Sequence, residues 1–348
     1  MTVRTTLALA LLVSACGDDG GQSVSDGDVE VLDAAEPVLG IVTPIAGACP
    51  AGPLPNTTCR IVDVSCPGVA NMQASIRVTA ATGTLAGTVL FGTGGGGDSF
   101  YDGNATAATM LGQLASQGYQ IVQRRWDQQP NGWITGPGGM LAASCRYATL
   151  LTWIYTEVHQ ANATAGFCAT GNSGGSTEIG YALTHWQRGD ILDLAVPTGG
   201  PPMGRMDHGC LDGTDPAWLA ECSALVPVGA STCTNGPACS YAPNARALID
   251  SAWNNTSCQV SDTTFRGELL ANSIASSAAT LAYPTTKVDF IYGSDDCTEA
   301  VPLGLAYASL VTSAKDIVFV AGTPHATFST VAGARAIRDS ILADCIPR

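Results

Sequence analysis

The chain has 348 residues and is 46% hydrophobic, which is enough to bury the core of one large domain or two small ones and argues against a disordered protein. Its 15 lysines and arginines stand against 29 aspartates and glutamates, a formal net charge of -14. This acidity argues against nucleic acid as a partner, because phosphates bind basic surfaces.

The start of the chain has the pattern of an export signal. Arg4 gives a minimal basic start, residues 7–13 form an apolar stretch too short to span a bilayer, and two small residues precede Cys16. Residues 12–16, Leu-Val-Ser-Ala-Cys, resemble a bacterial lipobox, whose cysteine becomes the lipidated first residue of the mature protein. We expect residues 1–15 to be a lipoprotein signal peptide, and Cys16 to anchor an exported protein to the bacterial cell envelope, on its periplasmic or cell-surface side.

The number of cysteines agrees with this prediction. The total of 13 is odd for an exported chain, and removing Cys16 leaves an even set suited to disulfides. The alternative is an ordinary signal peptide with Cys16 in a disulfide. The remaining cysteines form no C-x-x-C pair and His208 stands alone, so disulfides account for them better than a zinc site. We expect all of these cysteines to be oxidised, and we expect no metal and no cofactor.

A tether and a catalytic domain are predicted beyond the signal peptide. Residues 16–40 carry acidic residues among glycines and serines without periodicity, which is typical of a flexible acidic tether. The folded domain is expected over residues 41–348. From residue 75 onward, strand-like and helix-like segments alternate, which indicates an α/β fold with a mostly parallel sheet flanked by helices.

The elements of this alternation follow one another along the chain. Apolar runs predict strands around residues 76–78, 89–91, 119–122, 165–169, 191–196, 288–292 and 317–320. Apolar residues at helical spacing predict helices over residues 107–114, 139–160 and 179–186, and a helix is expected after each of the last two strands. Residues 201–266 break the pattern, because their cysteines among many Gly, Pro, Asn and Ser residues predict a disulfide-rich insertion.

One motif in this alternation carries chemistry. The run Gly171-Asn172-Ser173-Gly174-Gly175 fits the pattern G-x-S-x-G between a predicted strand and a predicted helix, the context of a nucleophile elbow. Such a sharp turn leaves room only for glycine two residues before and two residues after the serine. Gly171 and Gly175 satisfy this requirement, so we expect Ser173 to point out of the turn as a nucleophile. The alternative is an ordinary Gly-Ser turn.

The candidate base is His325. A serine hydroxyl is a poor nucleophile unless a base takes its proton, and an imidazole is a good base when an acceptor holds its other nitrogen. His325 follows the last predicted strand and precedes the last helix, which places it at the carboxyl edge of the sheet, where loops gather. His159 and His185 lie within helical patterns, and His208 lies in the insertion.

The candidate acid follows the preceding strand. Asp295 and Asp296 come directly after the strand predicted over residues 288–292 and a Gly-Ser pair. A carboxylate at this point can reach His325 from the adjacent loop. From the residues alone, the two aspartates compete for the role.

The order of these residues resembles a known family. Ser173, then Asp296, then His325 is the order of the α/β-hydrolases, and residues 75–345 resemble that family. The resemblance implies the α/β-hydrolase fold. It favours the second aspartate over the first, because family members often carry the acid three residues after a strand-ending glycine. It also leaves a weaker alternative, Asp207, since some members place the acid after the strand before.

A serine hydrolase also needs an oxyanion hole of two backbone N–H groups. One donor should be the N–H of Gly174, directly after the nucleophile. The other should come from the glycine run at residues 94–97, where the family carries its glycine-rich oxyanion loop, with Gly94 and Gly95 as the candidates. Thr93 replaces the histidine found before the glycines in one form of that loop, and this leaves open which glycine donates. The run lacks the Lys-Ser or Lys-Thr of a phosphate-binding loop.

The predicted function follows from the resemblance. It implies a serine hydrolase, and we expect a carboxylic ester hydrolase that forms an acyl-enzyme and acts on a small-molecule or polymeric ester. The alternatives are a serine peptidase on the same fold and a non-catalytic surface lipoprotein that binds a ligand. Residues 201–266 fall where the family places cap elements. We expect their apolar side chains, Trp218 and Trp253 among them, to wall the substrate pocket; the alternative is that they pack only against one another.

Overall fold

The computed structural model describes residues 37–127 and 131–348. The predicted signal peptide, the lipidation site Cys16 and most of the tether lie outside the described residues. In the part of the chain that is described, nine strands form one sheet. They are β1 (Ile41–Ile45), β2 (Thr57–Cys66), β3 (Val69–Thr79), β4 (Gly87–Gly92), β5 (Tyr119–Trp126), β6 (Gly166–Asn172), β7 (Leu194–Thr198), β8 (Lys287–Gly293) and β9 (Lys315–Val320), in the spatial order β1-β2-β3-β5-β4-β6-β7-β8-β9.

The sheet has a parallel part and an antiparallel edge. The strands from β5 across to β9 are parallel, as the alternation predicts. β1, β2 and β3 add the antiparallel edge, which pairs with β5 through β3. Pro67 and Gly68 close the hairpin between β2 and β3, and Gly68 has a φ of 76°, a conformation that glycine adopts without strain. The alternation begins only at residue 75, so it does not predict β1 and β2.

Helices cover both faces of the sheet. In the described residues they are α1 (Ala105–Ser116), α2 (Gly139–Glu157), α3 (Gly174–Thr184), α4 (Met206–Leu211), α5 (Pro216–Leu225), α6 (Pro243–Asp250), α7 (Arg266–Ala271), α8 (Ala300–Leu310) and α9 (Val331–Asp344). One buried cluster joins α1 to α9 through residues such as Leu111 and Ile337. Another joins α2, α3 and α8, with Leu150 and Ile179 among its members. The predicted α/β class is therefore confirmed. No helix within the described ranges has both the length and the apolar composition needed to cross a bilayer.

Among the predicted boundaries that differ from the observed ones, two have a local cause. The helix predicted over residues 139–160 ends at Glu157, because Gln160 and Ala161 have positive φ angles of 60° and 46° that a right-handed helix cannot accommodate. The strand predicted from residue 191 begins at residue 194, since a 3₁₀ turn at Arg188–Asp190 precedes it.

The insertion at residues 201–266 is held by disulfides, as predicted. Cys210–Cys258 and Cys222–Cys239 close loops within it, and Cys233–Cys297 joins it to the loop after β8. Cys49–Cys59, Cys66–Cys145 and Cys168–Cys345 pair the remaining cysteines of the described residues. Every cysteine from Cys49 onward is thus disulfide-bonded, in agreement with the prediction of an oxidised set.

Candidate active site

Ser173 forms the turn between β6 and α3. β6 ends at Asn172 and α3 begins at Gly174, so Ser173 alone reverses the chain, with a φ of 54° and a ψ of -114°. A positive φ is strained for a residue with a Cβ, so the surrounding packing must hold it. The Ser173 N–H donates to the carbonyl oxygen of Thr198 at 2.9 Å, which ties the turn to the end of β7. This is the geometry of a nucleophile elbow.

The glycines on either side of Ser173 are required by the packing of the turn. A Cβ on Gly175 would lie 2.5 Å from the carbonyl oxygen of Gly92 and 2.9 Å from that of Thr93. A Cβ on Gly171 would lie 2.5 Å from the carbonyl oxygen of Gly175. Backbone atoms cannot rotate aside as a flexible side chain does. A side chain at either position would therefore push α3, and Ser173 with it, away from the sheet.

His325 and Asp296 meet at the carboxyl edge of the sheet, in the loops after β9 and β8. His325 Nδ1 donates to Asp296 Oδ2 at 2.8 Å. Asp296 Oδ1 accepts from the backbone N–H of Thr298 at 3.0 Å and from its hydroxyl at 2.7 Å. The Asp296 side chain is 0% exposed and the His325 side chain is 33% exposed, so the carboxylate is enclosed while the imidazole reaches the open site. With Nδ1 engaged, Nε2 is the nitrogen that remains available to a substrate or to Ser173.

The other two aspartates considered from the sequence lie elsewhere. Asp295 turns toward the insertion, where its Oδ1 accepts from the hydroxyl of Thr232 at 2.9 Å. Asp207 accepts two hydrogen bonds from Arg205, at 2.9 and 2.8 Å. In the described residues, neither carboxylate is hydrogen-bonded to the candidate base.

A second cluster of titratable side chains lies on α4 and at the residue that follows it. Ligand atoms of Asp207, His208 and Asp212 lie within 4.8 Å of one another, close enough to surround a cation. Both carboxylates already have a guanidinium partner, because Asp207 pairs with Arg205 at 2.8 Å and Asp212 accepts from Arg266 at 2.8 Å. His208 Nδ1 donates to Asp212 at 2.8 Å. These contacts indicate a structural ion-pair cluster rather than a metal site.

Opposing effects set the pKa of His325. Burial lowers it, while the hydrogen bond and the negative charge of Asp296, joined by the charge of Glu299, raise it, and the net result is a pKa above the ordinary value. Burial also raises the pKa of the Glu299 carboxyl. An imidazole with a raised pKa is a stronger proton acceptor, but it becomes neutral only at a higher pH.

The predicted oxyanion donors, Gly174 and the glycines after β4, lie beside Ser173. The carbonyl oxygen of Ser173 accepts from the N–H of Thr177 at 3.0 Å, inside α3. Because the C=O and N–H of a trans peptide point in opposite directions, the N–H of Gly174 points out of the helix, as one of the unsatisfied donors of its first turn. Gly94 lies against the serine, since a Cβ built on it would be 3.0 Å from Ser173 Cβ and 3.6 Å from Ser173 Oγ. Gly95 packs on Gly174, because a Cβ built on Gly174 would overlap the carbonyl oxygen of Gly95.

Three residues that support the site were not found from the sequence. Asn172 Oδ1 accepts from the N–H of Thr327 at 3.0 Å, which joins the elbow to the loop of the base. Thr298 holds the acid, and Cys297 beside it is bonded to Cys233 of the insertion. Of the three, only Thr298 could have been predicted from a local pattern, because an aspartate side chain often accepts a hydrogen bond from the backbone N–H two residues further along the chain. The other two contacts join segments that are far apart in the chain.

A cavity of about 520 Å³ opens at Ser173. Its described lining residues are Thr93, Gly94, Gly95, Ser99, Phe100, Tyr101, Gly103, Asn104, Asn172, Ser173, His325, Ala326 and Phe328. His325 is the one titratable group with an ordinary pKa near neutrality among them, and no carboxylate, lysine or arginine is included. Phe100, Tyr101 and Phe328 form an aromatic wall, with ring centroids of the last two 4.4 Å apart.

The prediction that the insertion walls this pocket is wrong for its two tryptophans. Trp218 is buried against His208, with 4.2 Å between the ring centroids, and its indole N–H donates to the carbonyl oxygen of Cys239 at 2.7 Å. Trp253 packs against Gly139 at the start of α2. Neither tryptophan is among the described residues that line the cavity at Ser173. Their apolar area is used in packing, the alternative that the sequence had left open.

The strand order, the elbow after β6 and the loops after β8 and β9 together define an α/β-hydrolase fold. No protein-family model matches the chain, and no curated protein matches it significantly in sequence. Among solved structures it is similar to brefeldin A esterase, a bacterial homologue of human hormone-sensitive lipase, with 16% identity, a TM-score of 0.53 and coverage of 86% of this chain and 79% of that chain.

The chain is also similar to two further solved structures. The esterase Est22 shows 14% identity and a TM-score of 0.51, over 84% of this chain and 80% of that one. Dienelactone hydrolase from Anabaena variabilis shows 13% identity and a TM-score of 0.46, over 83% of this chain and 99% of that one. At these identities the similarity concerns the fold.

Proposed function

We propose that this protein is a serine hydrolase that cleaves carboxylic esters through Ser173, His325 and Asp296. One observation carries the proposal: a serine on a strained turn and a histidine bonded to a buried aspartate border the same cavity. A fold retained only as a binding module has no need to hold a serine at positive φ, because that strain must be offset by packing elsewhere.

The proposed reaction has two stages. Ser173 Oγ attacks the carbonyl carbon of the ester while His325 Nε2 takes its proton, and the N–H groups of Gly174 and Gly94 stabilise the oxyanion. The C–O bond to the alcohol then breaks, the alcohol leaves with the proton from His325, and Ser173 retains the acyl group. Water attacks the acyl carbon and gives a proton to His325. That proton returns to Ser173 as the carboxylic acid is released.

The lining of the cavity favours an ester over a peptide. It offers no carboxylate, lysine or arginine among its described residues to bind the charged groups of a peptide. Its aromatic wall of Phe100, Tyr101 and Phe328 suits an uncharged acyl or alcohol group instead. Brefeldin A esterase and Est22 are esterases by name, which makes ester hydrolysis the first activity to test.

A substrate panel tests this proposal. Purified protein should hydrolyse nitrophenyl esters and leave neutral peptide anilides intact over the same period, as followed by release of the chromophore. Ser173→Ala protein on the same panel measures the background. Cleavage of anilides at a comparable rate would favour the peptidase alternative, and no turnover of either class would favour a binding module.

We also propose that the protein is exported and anchored through a lipid on Cys16. The lipobox-like residues 12–16 support this, and so does the oxidised state of every cysteine from Cys49 onward, because disulfides form outside the reducing cytoplasm. The acidic tether at residues 16–40 would then separate the catalytic domain from the membrane surface.

Replacing the anchoring cysteine should release the protein from the membrane. In a bacterial host, wild type should partition into the detergent phase of a Triton X-114 extraction, and Cys16→Ser should move to the aqueous phase with its esterase activity intact. Incorporation of labelled palmitate reports the lipid directly. A mature protein whose Cys16 carries a free thiol, or that begins at another residue, would contradict the anchor.

A further inference from the structure

Arg124 and Glu178 form a buried ion pair that the reaction described above does not use. Arg124 lies on β5 and Glu178 lies on α3, the helix that follows the nucleophile, and both side chains are 0% exposed. Glu178 Oε2 accepts from Arg124 Nη2. Glu178 Oε1 accepts from the indole N–H of Trp126 at 2.6 Å. The carboxylate therefore holds the guanidinium at a fixed position relative to α3.

The guanidinium also holds the glycine-rich loop after β4. Arg124 Nη1 donates to the carbonyl oxygen of Gly97 at 3.1 Å, and Nη2 donates to that of Thr93 at 3.3 Å. The loop lies directly on this group, because a Cβ on Gly92 would be 2.7 Å from Nη2 and a Cβ on Gly97 would overlap Nη1. Burial lowers the pKa of Arg124 to about 10, so it remains a cation at neutral pH.

The contact to Thr93 determines where the next N–H points. The carbonyl of Thr93 and the N–H of Gly94 belong to one trans peptide and are directed oppositely. The carbonyl faces Arg124 and the start of α3, where it would lie 2.9 Å from a Cβ on Gly175. The N–H of Gly94 therefore points away from Arg124, and Gly94 itself adjoins Ser173 and lines the cavity.

Stability alone does not explain the buried ion pair between Arg124 and Glu178. Apolar residues of similar volume are often as stabilising, because taking two charges out of water is costly. A guanidinium, however, binds a carboxylate and two carbonyl oxygens at once with donors in a rigid planar arrangement, which the compact ammonium of a lysine does not provide. A cation on the Thr93 carbonyl also polarises its peptide, which makes the Gly94 N–H a stronger donor.

We propose that Arg124, locked by Glu178, is a positioning residue that directs the Gly94 N–H into the oxyanion hole. This inference rests on the proposed esterase function. It also answers the question that the sequence left open, since it assigns the second oxyanion donor to Gly94 within the glycine run.

The test compares an ester with its thionoester, in which sulfur replaces the carbonyl oxygen. Sulfur is a weak hydrogen-bond acceptor, so the thionoester gains little from an oxyanion hole. In Arg124→Met, kcat/KM for the ester should fall by about 10- to 100-fold, mainly through kcat. This loss is smaller than the roughly 100- to 1000-fold typical of removing an oxyanion donor, because the Gly94 N–H is still present. The value for the thionoester should change by less than about threefold. Titration with a fluorophosphonate normalises both rates to reactive serine.

Variants separate this effect from loss of folding. Arg124→Met alone leaves a buried carboxylate unpaired, so we include Arg124→Met with Glu178→Gln, which removes both charges and keeps an acceptor for Trp126. The double variant should melt closer to wild type than either single one, yet keep the lowered ester-to-thionoester ratio. Arg124→Lys keeps the charge and three donors but loses the planar fork, so its ester-to-thionoester ratio should lie between those of wild type and the double variant. Lys287→Met, at the amino end of β8, removes an ion-paired lysine far from the site and should leave the ratio unchanged.

The outcomes are distinguishable. A folded Arg124→Met variant, alone or with Glu178→Gln, that has the wild-type ester-to-thionoester ratio or loses both activities equally would overturn the positioning role and leave the esterase proposal standing. A wild-type protein that turns over neither substrate and does not react with the fluorophosphonate would overturn the proposed function, and this inference with it.

Discussion

Replacing Ser173 by alanine should abolish hydrolysis, with a loss in kcat of about a million-fold, because no other group can form the acyl-enzyme and members of a triad act as a unit. The strained turn between β6 and α3 places this hydroxyl at the cavity that His325 also lines. His325→Ala should cost nearly as much. A fluorophosphonate probe, followed by mass spectrometry of the labelled peptide, should modify wild type at Ser173 and fail on Ser173→Ala.

A neighbouring serine provides the control for this experiment. Ser176 lies in the first turn of α3 and is buried, and its hydroxyl donates to the carbonyl oxygen of Ser173 at 2.5 Å. Its hydroxyl is thus directed into the helix rather than toward substrate. Ser176→Ala should keep covalent labelling at Ser173. Equal labelling of wild type and Ser173→Ala would remove the elbow from the mechanism.

Whether a residue of the site could be predicted depended on how far apart in the chain the residues that position it lie. The turn at Ser173 is a local feature, because the glycines that permit it lie within two residues of it. His325 and Asp296 could be predicted from topology, because the carboxyl ends of the parallel strands β8 and β9 meet at one edge. The order of residues in the chain was enough for Ser173 and His325, while for the acid it left Asp295 and Asp296 open, and only the resemblance to the α/β-hydrolases favoured Asp296.

The rest of the site depends on contacts between segments that are distant in the chain. Arg124 and Glu178 have the local pattern of ordinary strand and helix residues, and only the register of the folded sheet brings them under the glycine loop. The disulfide from Cys233 to Cys297 could not be read from spacing either. Trp218 shows the same limit for packing, because apolar composition does not distinguish a core residue from the wall of a pocket.

Replacing Asp296 by asparagine should lower kcat/KM by about 10,000-fold without unfolding the site. The asparagine Oδ1 can still accept from the N–H and hydroxyl of Thr298, so the loop keeps its position. The amide NH₂ then faces His325 Nδ1 and stabilises the tautomer that carries its proton on Nε2, which cannot accept a proton from Ser173. Asp295→Asn and Asp207→Asn should stay near the wild-type rate, because these carboxylates bind Thr232 and Arg205 instead.

The pH dependence provides a second test of the same assignment. The base must be neutral, and Asp296 raises the pKa of His325 above its ordinary value of 6.5, so wild-type kcat/KM should be lost as the pH falls through a midpoint above 6.5. Asp296→Asn removes the carboxylate charge while burial continues to lower the pKa, and Glu299 alone opposes it. The residual activity of Asp296→Asn should therefore persist to a lower pH than that of wild type. Full activity in Asp296→Asn, or an unmoved midpoint, would transfer the role of the acid to another residue and leave His325 as the base.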